Sequence, residues 1–312
     1  MASSAIPSRP LVLAFSLLLL LPITSLAHQR PNRYQKREQI TYHGGKLLTG
    51  NINLVFIWYG IFDQSTKDTM RAFVDSINSN QKGKSKATVA KWWKVVENYQ
   101  TVAAPRAPKK KNYVKVVGEV QEACYWGKIL TMDFIPRIVE KAVGGKPNTV
   151  AVLFTAKDVS VHGLCTGKCQ LHGLIEKTQP YIVVGNPEID CPGACMWPFH
   201  ASQYIPKGVV FKAPNGNAVD DSMVVHLAAG LAELVTNPGN QGFYGGTEYK
   251  TIEITGGRCK NVFGSRASAA RGLPGTVRYA DGKAYNADGN NGRKFLLPAL
   301  WNPRTSSCFT LM

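Results

Sequence analysis

The sequence predicts an α/β protein, a single layered domain with a loop-rich C-terminal region held by disulfides. Apolar runs rich in β-branched and aromatic residues, typical of buried strands, lie at residues 51–59, 149–155 and 180–184. Segments with apolar residues at helical spacing lie between and after these runs. Strands that alternate with helices favour a sheet covered by helices.

Local patterns give the remaining elements. They predict a helix at residues 66–79, a helix that includes 89–96, a strand at 112–117 and a helix at 134–143. Beyond Gly239, the residues Gly, Asn and Pro are frequent and periodicity is weak. We therefore expect loops and short strands in this region, pinned by Cys259 and Cys308.

The clearest helix spans residues 220–237 and ends before Pro238. Three residues can cap its start: Asp220, Asp221 and Ser222. An apolar stripe covers one face, and His226 and Glu233 lie about two turns apart on the opposite face. The pattern predicts that this second face is polar.

A zincin would place H-E-x-x-H on such a helix, with two imidazoles binding zinc and the Glu acting as a base. Here Leu227 follows His226, and Gly230 takes the position of the second His. A related H-E-x-x-E pattern would fall on Ala229 and Gly230, and it loses ligands too. We predict no catalytic residue, no metal and no cofactor, with a degenerate metallopeptidase-like core as the alternative. The remaining metal candidates are His226, Glu233 and Glu253.

The N-terminus has the layout of a secretory signal peptide. Arg9 precedes an apolar run at residues 11–21, and Ser25-Leu26-Ala27 gives a small-x-small cleavage pattern. The run is shorter than the roughly 18–20 residues that cross a bilayer. The sequence thus predicts a signal peptide at residues 1–27, one domain at 28–312, secretion and no membrane span.

Seven cysteines follow the expected cleavage site, so most should be paired in an oxidising compartment and one is left over. The pairing cannot be deduced from sequence. His162, Cys165, Cys169 and His172 have a spacing that could also bind zinc. The secretory route favours disulfides over that alternative.

The chain has a formal net charge of +17, concentrated in two loops. The basic residues of these loops are Lys82, Lys84 and Lys86 in the first, and Arg106, Lys109, Lys110 and Lys111 in the second. Such a surplus often indicates nucleic acid, which a secreted protein rarely meets. The alternatives are attraction to an acidic matrix and a solvated loop with no dedicated partner.

Several spaced blocks resemble the EXORDIUM, or phosphate-induced, family of plant proteins, in order along the chain. The blocks are Tyr42-His43-Gly44-Gly45, Ile57-Trp58-Tyr59-Gly60, Cys191-Pro192-Gly193, Trp197-Pro198-Phe199-His200, Ala213-Pro214-Asn215-Gly216, Thr236-Asn237-Pro238, Tyr285-Asn286-Ala287 and Gly292-Arg293-Lys294-Phe295.

The resemblance implies a protein of the extracellular space, apoplast or cell wall, linked to brassinosteroid-responsive growth and cell expansion. It supplies no catalytic residues. This chain departs from the family pattern at Cys124, which is therefore expected to be the free thiol, and in the basic insert at Lys109, Lys110 and Lys111. The cysteines expected to form disulfides are Cys165, Cys169, Cys191, Cys195, Cys259 and Cys308.

Two functions follow from these observations. The first is a non-catalytic wall protein that binds polysaccharide, with pectin as the candidate polyanion for the three lysines, or an apoplastic protein. Trp92, Trp93 or Trp197 could stack on sugar rings. The second is a secreted hydrolase, either metallopeptidase-like or a wall glycosidase, built on the helix that carries His226 and Glu233.

Overall fold

The computed structural model describes residues 40–79, 87–144, 146, 148–202, 204, 208–245, 250–268 and 271–311. The helices are α1 (Gln64–Ile77), α2 (Val89–Ala103), α3 (Phe134–Val143), α4 (Pro192–Cys195) and α5 (Ala218–Thr236). The strands are β1 (Ile40–Tyr42), β2 (Asn51–Tyr59), β3 (Tyr113–Glu122), β4 (Ile129–Leu130), β5 (Thr149–Thr155), β6 (Ser160–Val161), β7 (Gln170–Ile175), β8 (Gln179–Gly185), β9 (Phe243–Gly245), β10 (Lys250–Thr251), β11 (Arg278–Ala280), β12 (Lys283–Tyr285), β13 (Ala287–Asp288), β14 (Lys294–Phe295), β15 (Leu300–Asn302) and β16 (Ser307–Phe309). The expected signal peptide and the loop with Lys82, Lys84 and Lys86 lie outside the described residues.

A five-stranded sheet in the order β3-β2-β5-β8-β7 organises the fold. Strands β3, β2, β5 and β8 are parallel, and β7 pairs with β8 in the antiparallel direction at the edge. Parallel strands need crossover connections, which explains the alternation of strands and helices in the sequence. No helix within the described ranges combines the length and the apolar character that a bilayer span requires.

The two faces of β2 belong to different hydrophobic clusters. Leu54 and Phe56 pack with residues of α1, α2 and α5, whereas Val55 and Ile57 pack with residues of α3. Because side chains alternate along a strand, a run that is apolar throughout must be covered on both faces. The layered α/β class predicted from the sequence is confirmed.

The structure contains each predicted helix and strand, and it differs from the predictions in some bounds, in unpredicted short elements and in the cap of one helix. The bounds of β2, β5 and α3 match the predictions, whereas β3 continues to Glu122 and β7 was not predicted. The cap of α5 is Asn217, whose side chain accepts from the amides of Val219 at 2.9 Å and Asp220 at 3.3 Å. The three residues predicted as caps are already inside the helix.

The C-terminal region consists of loops and short strands, as predicted: β9 and β10 form a three-stranded sheet with β1, and β11 to β16 form two-stranded pairs. A disulfide joins Cys259 to Cys308. Much of its order comes from one buried amide. The Asn286 side chain donates to the carbonyls of Phe263 and Leu297, at 2.8 and 2.7 Å, and accepts from the Leu297 amide at 2.8 Å. A side chain here supplies hydrogen bonds that a continuous sheet would otherwise provide.

Candidate functional site

A cleft of about 670 Å³ lies beside the edge strand β7, and its volume is in the usual range for small-ligand sites. Strand β7 contributes Gln170 and His172, which share one face because they are two residues apart. Helix α5 contributes His226 and Glu233, and the C-terminal region contributes Glu253 and other residues. The cleft therefore combines the sheet, the central helix and the C-terminal loops.

Two disulfides fix one border of the cleft. Cys165 pairs with Cys191 and Cys169 with Cys195, with Cα–Cα distances of 5.6 and 5.5 Å. They join the chain before β7 to the short helix α4. Because both Cys165 and Cys169 are in disulfides, the alternative zinc site with His162 and His172 is not formed.

A hydrogen-bonded chain links Glu233 to His172 through Gln170. The Gln170 amide nitrogen donates to Glu233 Oε2 at 2.8 Å, and the Thr255 hydroxyl donates to Glu233 Oε1. This orientation turns the Gln170 oxygen towards His172 Nδ1, 3.2 Å away. An amide oxygen only accepts, so His172 Nδ1 carries the proton and Nε2 holds the free lone pair.

Burial controls the protonation of this chain. Burial raises the pKa of Glu233 from 4.5 to about 7, against the lowering effect of the hydrogen bond from Thr255. Burial, helped by the charge of Lys168, lowers the pKa of His172 from 6.5 to about 4. Although His172 Nδ1 lies 3.5 Å from Glu233 Oε2, the neutral imidazole makes no ion pair at neutral pH.

His226 is fixed by a different contact. Its Nε2 lies 2.7 Å from the Cys195 carbonyl oxygen, so Nε2 donates and Nδ1 holds the lone pair. Burial lowers the pKa of this imidazole from 6.5 to about 4, which keeps it neutral. The contact ties α5 to the disulfide-bonded helix α4.

The prediction that His226 and Glu233 lie on a polar helix face is wrong. Both are buried, at 9% and 4% exposure, because the sheet covers one side of α5 and C-terminal segments cover the other. At Gly230, where a zincin has its second His, a Cβ atom would lie 2.8 Å from Ile182 Cγ2 and 3.2 Å from Gln170 Oε1. Glycine at this position lets the helix approach the sheet closely.

The metal candidates His226, Glu233 and Glu253 all line the cleft, but their ligating atoms do not converge. Within the described ranges, the group of potential ligand atoms that does converge is Cys169, Cys195 and His226, within 4.8 Å of one another. Both sulfurs of that group are already joined in a disulfide. A metal site made of the three predicted candidates would need their side chains to move.

The basic loop after α2 is a second candidate surface. Arg106, Lys109, Lys110 and Lys111 are all exposed. The Gln100 side chain holds the loop backbone, because it donates to the Lys110 carbonyl at 2.8 Å and accepts from the Lys110 amide at 3.0 Å. Across the part of the chain that the structure describes, no ion pair neutralises the three lysines.

The tryptophans proposed for sugar stacking are buried. Trp92 and Trp93 belong to the core with α1 and α2, and Trp197 packs against Phe263 in the wall of the cleft. All three side chains are at most 7% exposed, so none of them offers the open ring face that stacking on a sugar requires. This part of the sugar-stacking hypothesis is wrong for the structure as it stands.

Cys124 is a free thiol in the structure. It is half-buried rather than fully buried, and it lies at the end of β3 with a left-handed backbone (φ 58°). Burial raises the pKa of its thiol above 9.0, and the charge of Asp158 acts in the same direction. A thiol with a raised pKa is a weak nucleophile.

Fold and site together define a disulfide-linked α/β protein with a polar cleft at the edge of its sheet. The family model described as "Phosphate-induced protein 1 conserved region" matches residues 40–311. The chain therefore belongs to this family of EXORDIUM and phosphate-induced proteins.

Individual relatives align over most of their length. Protein EXORDIUM of Arabidopsis thaliana is 37% identical over 300 residues, covering 92% of this chain and 93% of that protein. Protein PHOSPHATE-INDUCED 1 of Nicotiana tabacum is 36% identical, covering 93% and 92%. Protein EXORDIUM-like 2 of Arabidopsis thaliana is 37% identical, covering 87% and 89%. No solved structure matches the chain significantly.

Proposed function

We propose that this chain is a secreted, non-catalytic protein of the apoplast and cell wall that promotes brassinosteroid-linked growth and cell expansion. It is held in the wall by acidic polysaccharide, with pectin as the candidate, or by an apoplastic protein. The exposed lysines Lys109, Lys110 and Lys111, which form no ion pair with any residue that the structure describes, carry this proposal. Family membership and the three disulfides support an extracellular setting.

Charge attraction of this kind is sensitive to salt. Exposed charges are screened over about 8 Å at physiological ionic strength and about 3 Å at 1 M salt. A polyanion held by a lysine cluster therefore exchanges with dissolved ions as the salt concentration rises. Wall attachment through the loop should weaken steadily over this range.

The test measures release of the protein from wall fragments and from immobilised polygalacturonate along a salt gradient. The substitutions Lys109→Gln, Lys110→Gln and Lys111→Gln together should lower the salt needed for release. The matched control removes the same charge from Lys128, Lys141 and Lys157, which are held in ion pairs with Asp158, Glu122 and Glu188. Equal effects of both triple variants, or retention that ignores salt, would contradict attachment through the loop.

A secreted hydrolase is the second candidate, and Glu233 favours it. A buried carboxyl group with a pKa raised to about 7 has the protonation expected of a general acid, and it lies in a cleft with Glu253. We would measure hydrolysis of wall oligosaccharides and peptides by the wild type, Glu233→Gln and Glu253→Gln. Turnover that Glu233→Gln abolishes in a folded protein would replace the non-catalytic proposal.

A further inference from the structure

The cleft contains two imidazole lone pairs that the protein does not use. His172 Nε2 and His226 Nδ1 have no hydrogen-bond partner among the residues that the structure describes. In each ring the other nitrogen is already bound, to Gln170 Oε1 or to the Cys195 carbonyl. The tautomers are therefore fixed by the fold, and each ring offers an acceptor.

Acceptors of this kind select for a particular ligand chemistry. A neutral imidazole nitrogen with a lone pair accepts hydrogen bonds from hydroxyl or N–H groups, and it cannot donate one to a carboxylate or phosphate. The charged residues of the lining nearly balance, since Lys168 and Lys260 are accompanied by Glu253 and by the Glu233 carboxyl group, which is partly ionised near neutral pH. The cleft thus lacks the positive surplus that marks the loop after α2.

The remaining lining suits a polyhydroxylated molecule. Asn240 and Asn261 add amide groups, and Tyr181 adds a half-buried phenol. Binding sites with a few fixed polar groups among apolar walls orient their ligands by hydrogen bonds. Sugars combine hydroxyl donors with apolar C–H faces, which matches both parts of the lining.

We propose that this cleft binds a neutral sugar, whose hydroxyl groups donate to His172 Nε2 and His226 Nδ1. Glu233 and Gln170 act as positioning residues, because they fix the His172 tautomer. The site is separate from the basic loop, so the proposal does not depend on attachment of the protein to a polyanion.

The experiment titrates the full mature protein with cellotetraose and mannotetraose as neutral probes, and with tetragalacturonate as the acidic probe. Calorimetry gives the affinity. His172→Phe keeps a ring but removes the acceptor, whereas His172→Gln places an oxygen near the former Nε2. We expect binding of a neutral probe to fall by about tenfold in the Phe variant and to stay within about threefold in the Gln variant.

Nitrogen-15 spectra of the wild-type histidines provide a second readout that needs no variant. They should show His172 protonated on Nδ1 and His226 on Nε2, and the two unprotonated nitrogens should shift when a neutral probe binds. Failure of both neutral probes to bind, preference for tetragalacturonate, or opposite tautomers would overturn the proposal. So would neutral binding that is unchanged in His172→Phe.

Discussion

The cleft beside β7 and the basic loop after α2 present polar groups in opposite ways. In the cleft, Gln170 and Glu233 are tied to one another and burial holds the nearby imidazoles neutral. In the loop, Lys109 and its neighbours are exposed; Gln100 holds the backbone, and the Lys109 ammonium group donates to Asn98 Oδ1 at 3.2 Å. Burial makes recognition depend on the direction of hydrogen bonds, whereas exposure leaves it to the number of charges and the salt concentration.

The largest expected effect comes from the disulfide that borders the cleft. Cys169→Ser with Cys195→Ser removes one of the two disulfides that join the chain before β7 to α4, which should lower the free energy of unfolding by about 3 kcal/mol. Release from polygalacturonate at a given salt should be unchanged, because the loop after α2 is elsewhere in the fold. Denaturant unfolding and the salt gradient measure the two effects.

Cys124→Ser is the matched control, since Cys124 is the free thiol. It should change stability little, and alkylation of the denatured, unreduced wild type should label this one cysteine. Three or more labelled thiols would contradict the disulfide assignment. Loss of polygalacturonate binding in the double variant would show that the two surfaces are coupled.

The second effect is a pH dependence of stability that comes from buried titratable groups, with Glu233 in the cleft among them. Because the pKa of Glu233 is raised from 4.5 to about 7, the folded protein keeps a proton in this interval that the unfolded chain loses. Stability therefore falls as pH rises through the interval. The pKa of Asp221 is raised from 3.8 to about 7, so Asp221 contributes in the same direction. The pKa values of His172 and His226 are lowered from 6.5 to about 4. Between these two values the histidines therefore make stability rise with pH, which opposes the effect of the two carboxyl groups.

Glu233→Gln should remove part of the loss of stability that accompanies a rise in pH. We expect the fall in unfolding free energy between about pH 5 and pH 8 to shrink by up to about 3 kcal/mol. Denaturant unfolding at a series of pH values checks it. Glu140→Gln, at an exposed site on α3 outside the cleft lining, is the control and should leave the curve nearly unchanged. Identical pH curves for Glu233→Gln and wild type would show that Glu233 is ionised normally.

The third effect tests how closely α5 packs against the sheet, without changing a titratable residue. Gly230→Ala adds a methyl group 2.8 Å from Ile182 Cγ2 and 3.2 Å from Gln170 Oε1. Overpacking costs about 1–3 kcal/mol, and the better helix propensity of Ala returns about 1 kcal/mol. We expect a net loss of about 1 kcal/mol and weaker neutral-sugar binding. A stabilised variant with full binding would mean that the helix and sheet can separate at no cost.

The smallest effect on stability should come from the loop. Replacing Lys109, Lys110 and Lys111 by Gln should change the free energy of unfolding by less than about 0.5 kcal/mol, because these side chains are solvated. Calorimetric binding of a neutral sugar should be unaffected. If the triple variant lost sugar binding, the loop and the cleft would have to be treated as one surface.

Local sequence pattern predicts those elements that their own residues specify, such as a buried strand or the end of a helix. The run at residues 149–155 is apolar between its terminal threonines and buried throughout, and Gly144 ends α3 in a left-handed conformation. Strand β7 was missed because Gln170, His172 and Gly173 give no clear alternation at a sheet edge. Its register depends on pairing with β8, which sequence periodicity does not show.

The chemistry of the cleft was harder to predict than the fold. Helical periodicity predicts a polar face for His226 and Glu233 because it describes one covered side of the helix. In the structure, non-periodic C-terminal segments cover the second side. The contact between Gln170 and Glu233 joins residues 63 positions apart. The sequence indicates Glu233 as a candidate ligand, but nothing in it marks Gln170 as the partner of Glu233.

The walls of the cleft come from residues as distant in sequence as Met132 and Pro298. Contacts with such high sequence separation form late, because the loop between them must close first. The parallel sheet should therefore assemble before the cleft, and the Asn286 amide should close the C-terminal segments over α5 last. In refolding, the far-ultraviolet signal should recover ahead of sugar binding. Recovery of sugar binding would then mark the stage at which the C-terminal segments have packed over α5.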